Sequence, residues 1–142
     1  MSAKATDLVS KLLANSTNLD IVKELVAEDA TYVSLNYNNP ELTGIEPWCG
    51  THNQAGPAAI HQTFVDSEHV AIFGRFVYCS KSIGKLTDSP FAVWGKVDMA
   101  RGKVTYMQSI EDTPSTANSF RKSGRVVYQS HPESGEECAV DV

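Results

Sequence analysis

The sequence predicts an α+β domain in which N-terminal helices pack on an antiparallel sheet. Apolar residues recur at helical spacing over residues 4–14, which is typical of an amphipathic helix. Beyond residue 68, segments rich in β-branched and aromatic residues follow one another and are separated by glycine turns. With 142 residues, of which 42% are hydrophobic, the chain is long enough to bury one core.

Two helices are predicted near the N-terminus, the first over residues 4–14. The second begins with Thr17 or Asn18 as its N-cap, because a short polar side chain there accepts a hydrogen bond from a free backbone N–H. This second helix is expected to end at Asp29-Ala30, where a strand over residues 31–36 follows.

A third helix is predicted to begin at Gly56-Pro57, since proline suits the first helical position. It would cover residues 58–65 and bury Ile60 and Phe64. The preceding residues 37–56 are rich in glycine and proline and are predicted to be irregular. Trp48 lies in the middle of them, where it would fill an apolar hole or act as a lid over a cavity.

The strands that follow form a meander, since short turns at Gly84 and Arg101-Gly102 join them. Pro90 indicates a bulge or a sheet edge. A last short helix is expected over residues 114–122. The predicted strands cover about residues 69–80, 85–100, 103–112 and 125–129.

Composition excludes several classes of function. The net charge is −5 and no basic face appears, which argues against nucleic acid as a partner. The apolar runs are too short to span a bilayer, and no signal-peptide pattern follows Met1. Cys49, Cys79 and Cys138 show no CxxC spacing, so we expect free thiols in a reducing cytoplasm.

The domain is predicted to cover residues 1–124. Residues 125–142 would add a C-terminal strand and an acidic tail that is frayed from residue 130 onwards.

The order of elements resembles the NTF2-like superfamily, and within it the SnoaL-like branch, which is related to polyketide cyclases and ketosteroid isomerases. The likeness covers roughly residues 4–122 and is specific for fold rather than for activity. The segments that carry it are Leu25–Val33, Trp48 to Gly50, Gly56–Ile60, Val70–Phe76 and Gly102–Thr113.

The resemblance implies a cone-shaped pocket between a curved sheet and the helices. One departure is large, because members usually carry a longer segment between the third helix and the strand at Val70. Here only Asp66-Ser67-Glu68-His69 separates the two. The chain is therefore expected to lack one usual helix–strand segment of the cone.

Two carboxylates, Glu111 and Asp112, end the otherwise uncharged strand after Lys103. Neighbouring strand residues point to opposite faces, so only one of them can face a cavity. The resemblance implies that such a carboxylate moves a proton next to a carbonyl. We predict that Glu111 points inward near Arg75. The alternatives are an ion pair of Glu111 with Arg75 or Lys96, and capping of the next helix by Asp112.

The ligand-binding face is predicted from strand parity and from the resemblance. Thr105 is placed on the same face as the last strand's inward residues, and Arg75 would share its face with Phe73 and Val77. Core packing explains the aromatic members of the set equally well. The predicted ligand-binding residues are Tyr32, Ser34, Asn36, Trp48, His61, Trp94, Met107 and Ser109.

Other chemistries are argued against. The epoxide-hydrolase branch of the superfamily uses acids at positions that are Val77 and Ser109 here, so that route is not expected. No histidine or cysteine pair has the spacing of a metal site, and no cofactor is implied.

Two function hypotheses remain open at this point. The first is a pocket for a small apolar, carbonyl-bearing molecule, with proton-transfer chemistry of the isomerase or cyclase type. The second is a non-catalytic binding or dimerisation module that keeps only the fold. In both we expect a homodimer, with residues 125–129 as a strand that covers an exposed edge or apolar face, in its own chain or in the partner.

Overall fold

In a computed structural model, two helices pack on one face of a six-stranded sheet. The structure describes residues 2–34, 41–43, 52–80, 84–112, 115, 118, 121–129 and 135–141. The elements are α1 (Ser2–Ala14), α2 (Leu19–Leu25), β1 (Val26–Ser34), β2 (Glu41–Thr43), β3 (His52–Asp66), β4 (His69–Ser80), β5 (Leu86–Asp98), β6 (Lys103–Glu111), β7 (Arg125–Gln129) and β8 (Glu137–Asp141).

Both N-terminal helices are confirmed, and Asn18 is the N-cap of α2. Its side-chain oxygen accepts hydrogen bonds from the backbone N–H groups of Asp20 and Ile21, at 3.2 and 3.3 Å. The predicted end of α2 at Asp29-Ala30 is wrong, because the helix stops at Leu25. Val26 already pairs with Val104, so the sheet takes over the backbone hydrogen bonds there.

The six-stranded sheet has the order β2-β1-β6-β5-β4-β3. All its pairs are antiparallel except β1 with β6, which run parallel, so the expectation of a purely antiparallel sheet is wrong at that pair. A parallel pair needs a long connection, and the meander from β2 to β5 provides it. The parallel pairing joins the first strand to the last strand of the meander and so brings Tyr32 beside Met107.

The predicted third helix is wrong, because residues 52–66 form β3 and pair with β4. A short apolar segment fits a strand as well as a helix, and here pairing with β4 decides for the strand. Ser67-Glu68 forms a two-residue hairpin turn with Ser67 at a φ of 55°. Pro57 is tolerated because β3 is an edge strand of the described sheet.

The strand before Val70 is therefore present, and the edge of β4 is covered by β3. The expected burial of Ile60 and Phe64 is also wrong, since both are exposed in the structure.

Two further strands lie in segments predicted to be irregular. β2 and the start of β3 fall within residues 37–56, and β8 falls within the tail predicted to fray. Residues 35–40 and 44–51, including Asn36 and Trp48, lie outside the described residues, so the lid hypothesis stays a prediction. The predicted helix over 114–122 also lies mostly outside them.

β7 forms as predicted but does not cover the main sheet within the described residues. It pairs instead with β8 in a separate two-stranded sheet. The expectation that residues 125–129 cover an edge of their own chain is therefore not met.

The core lies between the helices and what we call the inner face of the sheet. Alternate residues of β5 are buried, and so are their partners Val70, Ile72, Gly74 and Phe76 on β4 and Val104 and Met107 on β6. Gly95 belongs to this face, because a Cβ atom there would meet Val9 of α1 at 3.0 Å. The fully buried side chains of the core include Val9, Leu12, Val22, Val26, Val70, Ile72, Val93, Val97 and Val104.

Candidate functional site

A β-bulge in β6 decides which residues of that strand face inward. Lys96 pairs with Tyr106 while Val97 pairs with Val104, so Thr105 is the extra residue. The Thr105 hydroxyl donates to the Lys96 carbonyl at 3.3 Å. The predicted inward face therefore holds from Met107 onwards, and Thr105 itself lies in the bulge.

Glu111 lies on the inner face at the end of β6. It pairs with buried Phe91, and residues directly opposite each other in a sheet point to the same side. Its partly buried position places a carboxylate at the margin of an apolar surface. The structure thus brings Glu111 to the face on which sequence parity predicted it.

Arg75 does not accompany Glu111, which corrects the predicted pairing. Arg75 pairs with Pro90 on the outer face, the side of the sheet away from the helices. Its Nε lies 2.8 Å from a carboxylate oxygen of Asp88 on the neighbouring strand. The reason for the error is parity, because the buried residues of β4 are Val70, Ile72 and Phe76, which places Arg75 on the other side.

Asp112 lies just beyond β6 and is exposed. Its Oδ1 accepts a hydrogen bond from the backbone N–H of Ser115 at 3.4 Å, the kind of contact made by a helix cap. Its own backbone N–H donates to the Ser89 hydroxyl at 2.9 Å. The geometry thus gives Asp112 a structural contact at the rim.

Four predicted ligand-binding residues come together on adjacent strands. Tyr32 pairs with Met107, and Ser34 pairs with Ser109, across the parallel β1–β6 ladder. Met107 is buried, while Tyr32 and Ser109 are partly buried. Tyr32 packs against the core. Together, Tyr32, Met107 and Ser109 form a mixed apolar and hydroxyl surface on the same face as Glu111.

Two predicted ligand-binding residues lie elsewhere. His61 is an exposed residue of β3 and not part of a helix. Trp94 is on the outer face, where its Nε1 donates to Nδ1 of His69 at 3.2 Å and its ring contacts Tyr106. His61 lies away from Glu111 because residues 52–66 form a strand, and Trp94 does so because its position on β5 points to the outer face.

The predicted site leaves out four inner-face residues on β4 and β5. Phe76 and Phe91 stack with ring centroids 4.0 Å apart. Thr87 and Ser89 are the buried polar side chains of the described core, on the same face of β5 as Phe91. Extending the period of two along β5 from Val93 would have found three of the four.

An open surface pocket of about 560 Å³ lies at the opposite end of β6. Lys103 and Glu111 are eight residues apart, so a strand separates them by roughly 26 Å. The Lys103 ammonium donates to the last carbonyls of α2, those of Lys23 and Glu24. The lining residues are Lys23, Val26, Ala27, Glu28, Arg101 and Lys103.

Arg101, in the same pocket, forms an ion pair with Asp29. Its two terminal nitrogens donate to the Asp29 carboxylate at 2.9 and 3.4 Å. These side-chain hydrogen bonds, with a backbone hydrogen bond and the opposite charge, lower the pKa of Asp29 below its ordinary 3.8. The same contact raises the pKa of Arg101. Arg101 and Lys103 of this pocket are therefore engaged by Asp29 and by the end of α2, and we place the candidate site at the Glu111 end.

The described residues include neither a metal-binding cluster nor a membrane-spanning helix. Among them, no group of three or more His, Cys, Asp or Glu side chains is arranged to hold a metal ion. No helix of the described part is long and apolar enough to cross a membrane. Cys79 and Cys138 are free thiols, and Cys49 lies outside the described residues.

Comparison with known proteins places the chain in a family. No protein-family profile matches it. Patulin biosynthesis cluster protein F of Penicillium expansum is 36% identical over 135 residues, which cover 82% of this chain and 67% of that protein. The chain belongs to the patulin synthesis protein F family. The Aspergillus clavatus member is 36% identical over 138 residues, covering 84% of this chain and 69% of that protein.

Solved structures confirm the NTF2-like, SnoaL-like fold. An NTF2-like protein of Burkholderia xenovorans LB400 superposes with a TM-score of 0.69 at 14% identity, covering 85% of this chain and 98% of its own. A SnoaL-like polyketide cyclase candidate of Jannaschia sp. CCS1 gives 0.67 at 14% identity, covering 84% and 94%. An LEH-like epoxide hydrolase of M. tuberculosis gives 0.65 at 16% identity, covering 83% and 90%. At these identities the likeness concerns the fold alone.

Proposed function

We propose that this protein binds a small apolar, carbonyl-bearing molecule on the inner face and transfers a proton on it through Glu111. One observation carries the proposal. Glu111 is a carboxylate on the same face as Phe91 and Met107, at the end where the buried apolar surface of the sheet meets partly buried hydroxyl residues.

The chemistry follows from that placement. A carboxylate that is held beside the carbon next to a carbonyl can remove a proton from it and return the proton elsewhere, which is isomerase or cyclase chemistry. The stacked rings of Phe76 and Phe91 are buried on the same face, which makes the surroundings of Glu111 apolar. Tyr32 and Ser109 lie on adjacent strands of the same face and can hydrogen-bond a ligand oxygen.

The family supports a biosynthetic setting. Both relatives are named for the synthesis of patulin, a role that belongs to them. For this chain we propose action on a small-molecule biosynthetic intermediate, in the cytoplasm. The NTF2-like fold accommodates binding and catalysis alike, so Glu111 has to be tested directly.

The test uses cyclohex-3-enone as probe, because its isomerisation to cyclohex-2-enone moves one proton from C2 to C4 and is seen by ultraviolet absorbance. Wild-type protein should accelerate the reaction, and Glu111→Gln should reduce the rate at least a hundredfold, the scale of one general base. Asp112→Asn is the matched control, since Asp112 faces solvent one residue away. Equal rates for wild type and Glu111→Gln would overturn the proposal.

The alternative function is a dimerisation module, and the outer face favours it. Four large apolar side chains lie there on consecutive strands, each between 44% and 58% exposed: Phe64, Phe73, Trp94 and Ile110. Monomers rarely leave so contiguous an apolar surface in water. We propose that a second copy of the chain covers it as a homodimer.

Sedimentation velocity at micromolar concentration tests the dimer. Wild-type protein should sediment as a dimer, and Trp94→Glu should convert it to a monomer. Leu86→Glu is the control, because Leu86 is more exposed than Trp94, at 71%, and lies eight residues from it on β5. A wild-type monomer, or a dimer that Trp94→Glu leaves intact, would contradict this interface.

A further inference from the structure

Backbone pairing between β5 and β6 ends beside Glu111. The last pair is Phe91 with Glu111, and the next residue of β5 is Pro90, which has no N–H to donate. No bulge interrupts the β4–β5 ladder at Pro90, so proline here marks a local edge toward β6. The backbone ladder between β5 and β6 therefore ends at the pair that contains Glu111.

The Ser89 side chain takes over where the ladder stops. Its hydroxyl accepts the backbone N–H of Asp112 at 2.9 Å and donates to the Pro90 carbonyl at 2.8 Å. Because the hydroxyl proton points to Pro90, a lone pair remains for Asp112. Ser89 is fully buried, so water does not compete for this bond.

Thr87, two residues before Ser89 on β5, bonds the chain just beyond β6. Its hydroxyl donates to the backbone carbonyl of Ser115 at 3.4 Å, and Ser115 in turn donates its N–H to Asp112. Thr87 thus bonds the backbone at residue 115, whereas Ser89 bonds the peptide between Glu111 and Asp112.

We propose that Ser89 is a positioning residue for the Glu111 carboxylate. The N–H that Ser89 holds belongs to the peptide joining Glu111 to Asp112, so the bond fixes the plane of that peptide and with it the direction of the Glu111 side chain. Without it, the peptide between Glu111 and Asp112 would lose this restraint and open more readily. The part of the test that measures turnover rests on the proposed function, whereas the two spectroscopic readouts below do not.

The central variants are Ser89→Ala, which removes the acceptor, and Ser89→Cys, which keeps the buried volume but offers a weak one. In both, amide exchange at Asp112 should accelerate at least tenfold, and the Glu111 Cδ resonance should move at fixed pH. Thr87→Val is the matched control. It removes the neighbouring buried hydroxyl, which does not bond Asp112, and should leave both signals near their wild-type values.

Turnover of cyclohex-3-enone supplies the last readout. Misplacement of a catalytic group lowers kcat more than it weakens binding, so Ser89→Cys should lower kcat about tenfold with KM unchanged. The inference is overturned if Ser89→Cys leaves the exchange of Asp112 and the Glu111 resonance as in wild type. If those two signals change while wild type and Glu111→Gln turn over equally, the proposed function fails and the positioning role of Ser89 stands.

Discussion

The two faces of the six-stranded sheet use the same strands for opposite purposes. On the inner face, consecutive odd residues of β5 from Thr87 to Val97 are buried against helices and neighbouring strands. On the outer face, Phe73 and Trp94 stand half exposed among ion-paired and hydrogen-bonded neighbours such as Arg75 and His69. In the described part of the chain the helices cover one face only, so the stability of the fold depends on the inner face.

The faces also differ in how they treat polar groups. Thr87 and Ser89 are buried, and each makes a hydrogen bond to backbone at the end of the sheet. Arg75 and Asp88 form their ion pair with both side chains more than half exposed, where such pairs contribute little. Polar side chains on the inner face therefore bond the backbone just beyond β6. Those on the outer face pair with each other in contact with solvent.

The largest expected effect comes from truncating one inner-face side chain. Ile72→Ala should lower the free energy of unfolding by about 3 kcal/mol, because Ile72 is fully buried and leaves a cavity. The adjacent outer-face substitution Phe73→Ala should cost under about 1 kcal/mol in the monomer, since that ring is 45% exposed. Urea denaturation measures both, and equal losses would remove the distinction between the faces.

Two glycines on the inner face give the next largest effect. A Cβ atom at Gly74 would lie 2.2 Å from the Ala59 carbonyl oxygen and 2.6 Å from the Phe91 ring, so the β3 backbone would have to move. Gly74→Ala should cost about 2–3 kcal/mol. Gly95→Ala meets only the Val9 side chain at 3.0 Å and should cost clearly less. A reversed order in denaturation experiments would place the tight packing at α1 instead of β3.

The exposed ion pair between Asp29 and Arg101 should make a small contribution to the free energy of unfolding, and that contribution should depend on pH. The lowered pKa of Asp29 means that its stabilising contribution is fully present above the ordinary value of 3.8 and is lost as pH falls through the lower folded value. Asp29→Asn should therefore be slightly less stable than wild type at pH 6 and equal to it in strong acid. Asp7→Asn is the control, because Asp7 is an exposed residue of α1. If Asp7→Asn showed the same pH dependence of stability, the ion pair would not be its cause.

The smallest expected effect concerns the C-terminus. We propose that residues 1–124 fold without residues 125–142, because β7 and β8 pair with each other and not with the main sheet. An isolated two-stranded hairpin is marginally stable and adds little to its neighbour. Truncation after Gly124 should change the free energy of unfolding by less than about 1 kcal/mol. A larger loss would show that the hairpin covers the domain after all.

The sequence by itself determined what rests on local signals. The amphipathic period of α1, the cap at Asn18 and the glycine turns that separate β4, β5 and β6 all act over a few residues, and the structure has them where they were predicted. The parity of a strand is equally local, which is why Glu111 falls on the predicted face.

Only the tertiary structure decided the features that depend on a partner strand. Residues 58–65 become part of β3 because β4 is there to pair with them, and Arg75 faces outward because the helices cover the other side of β4. The bulge at Thr105 forms where β6 pairs with β5. The hydrogen bond from the Asp112 N–H to the Ser89 hydroxyl likewise joins two residues that are far apart in the chain. Hydrogen bonds across a sheet join distant segments, so no local pattern contains them.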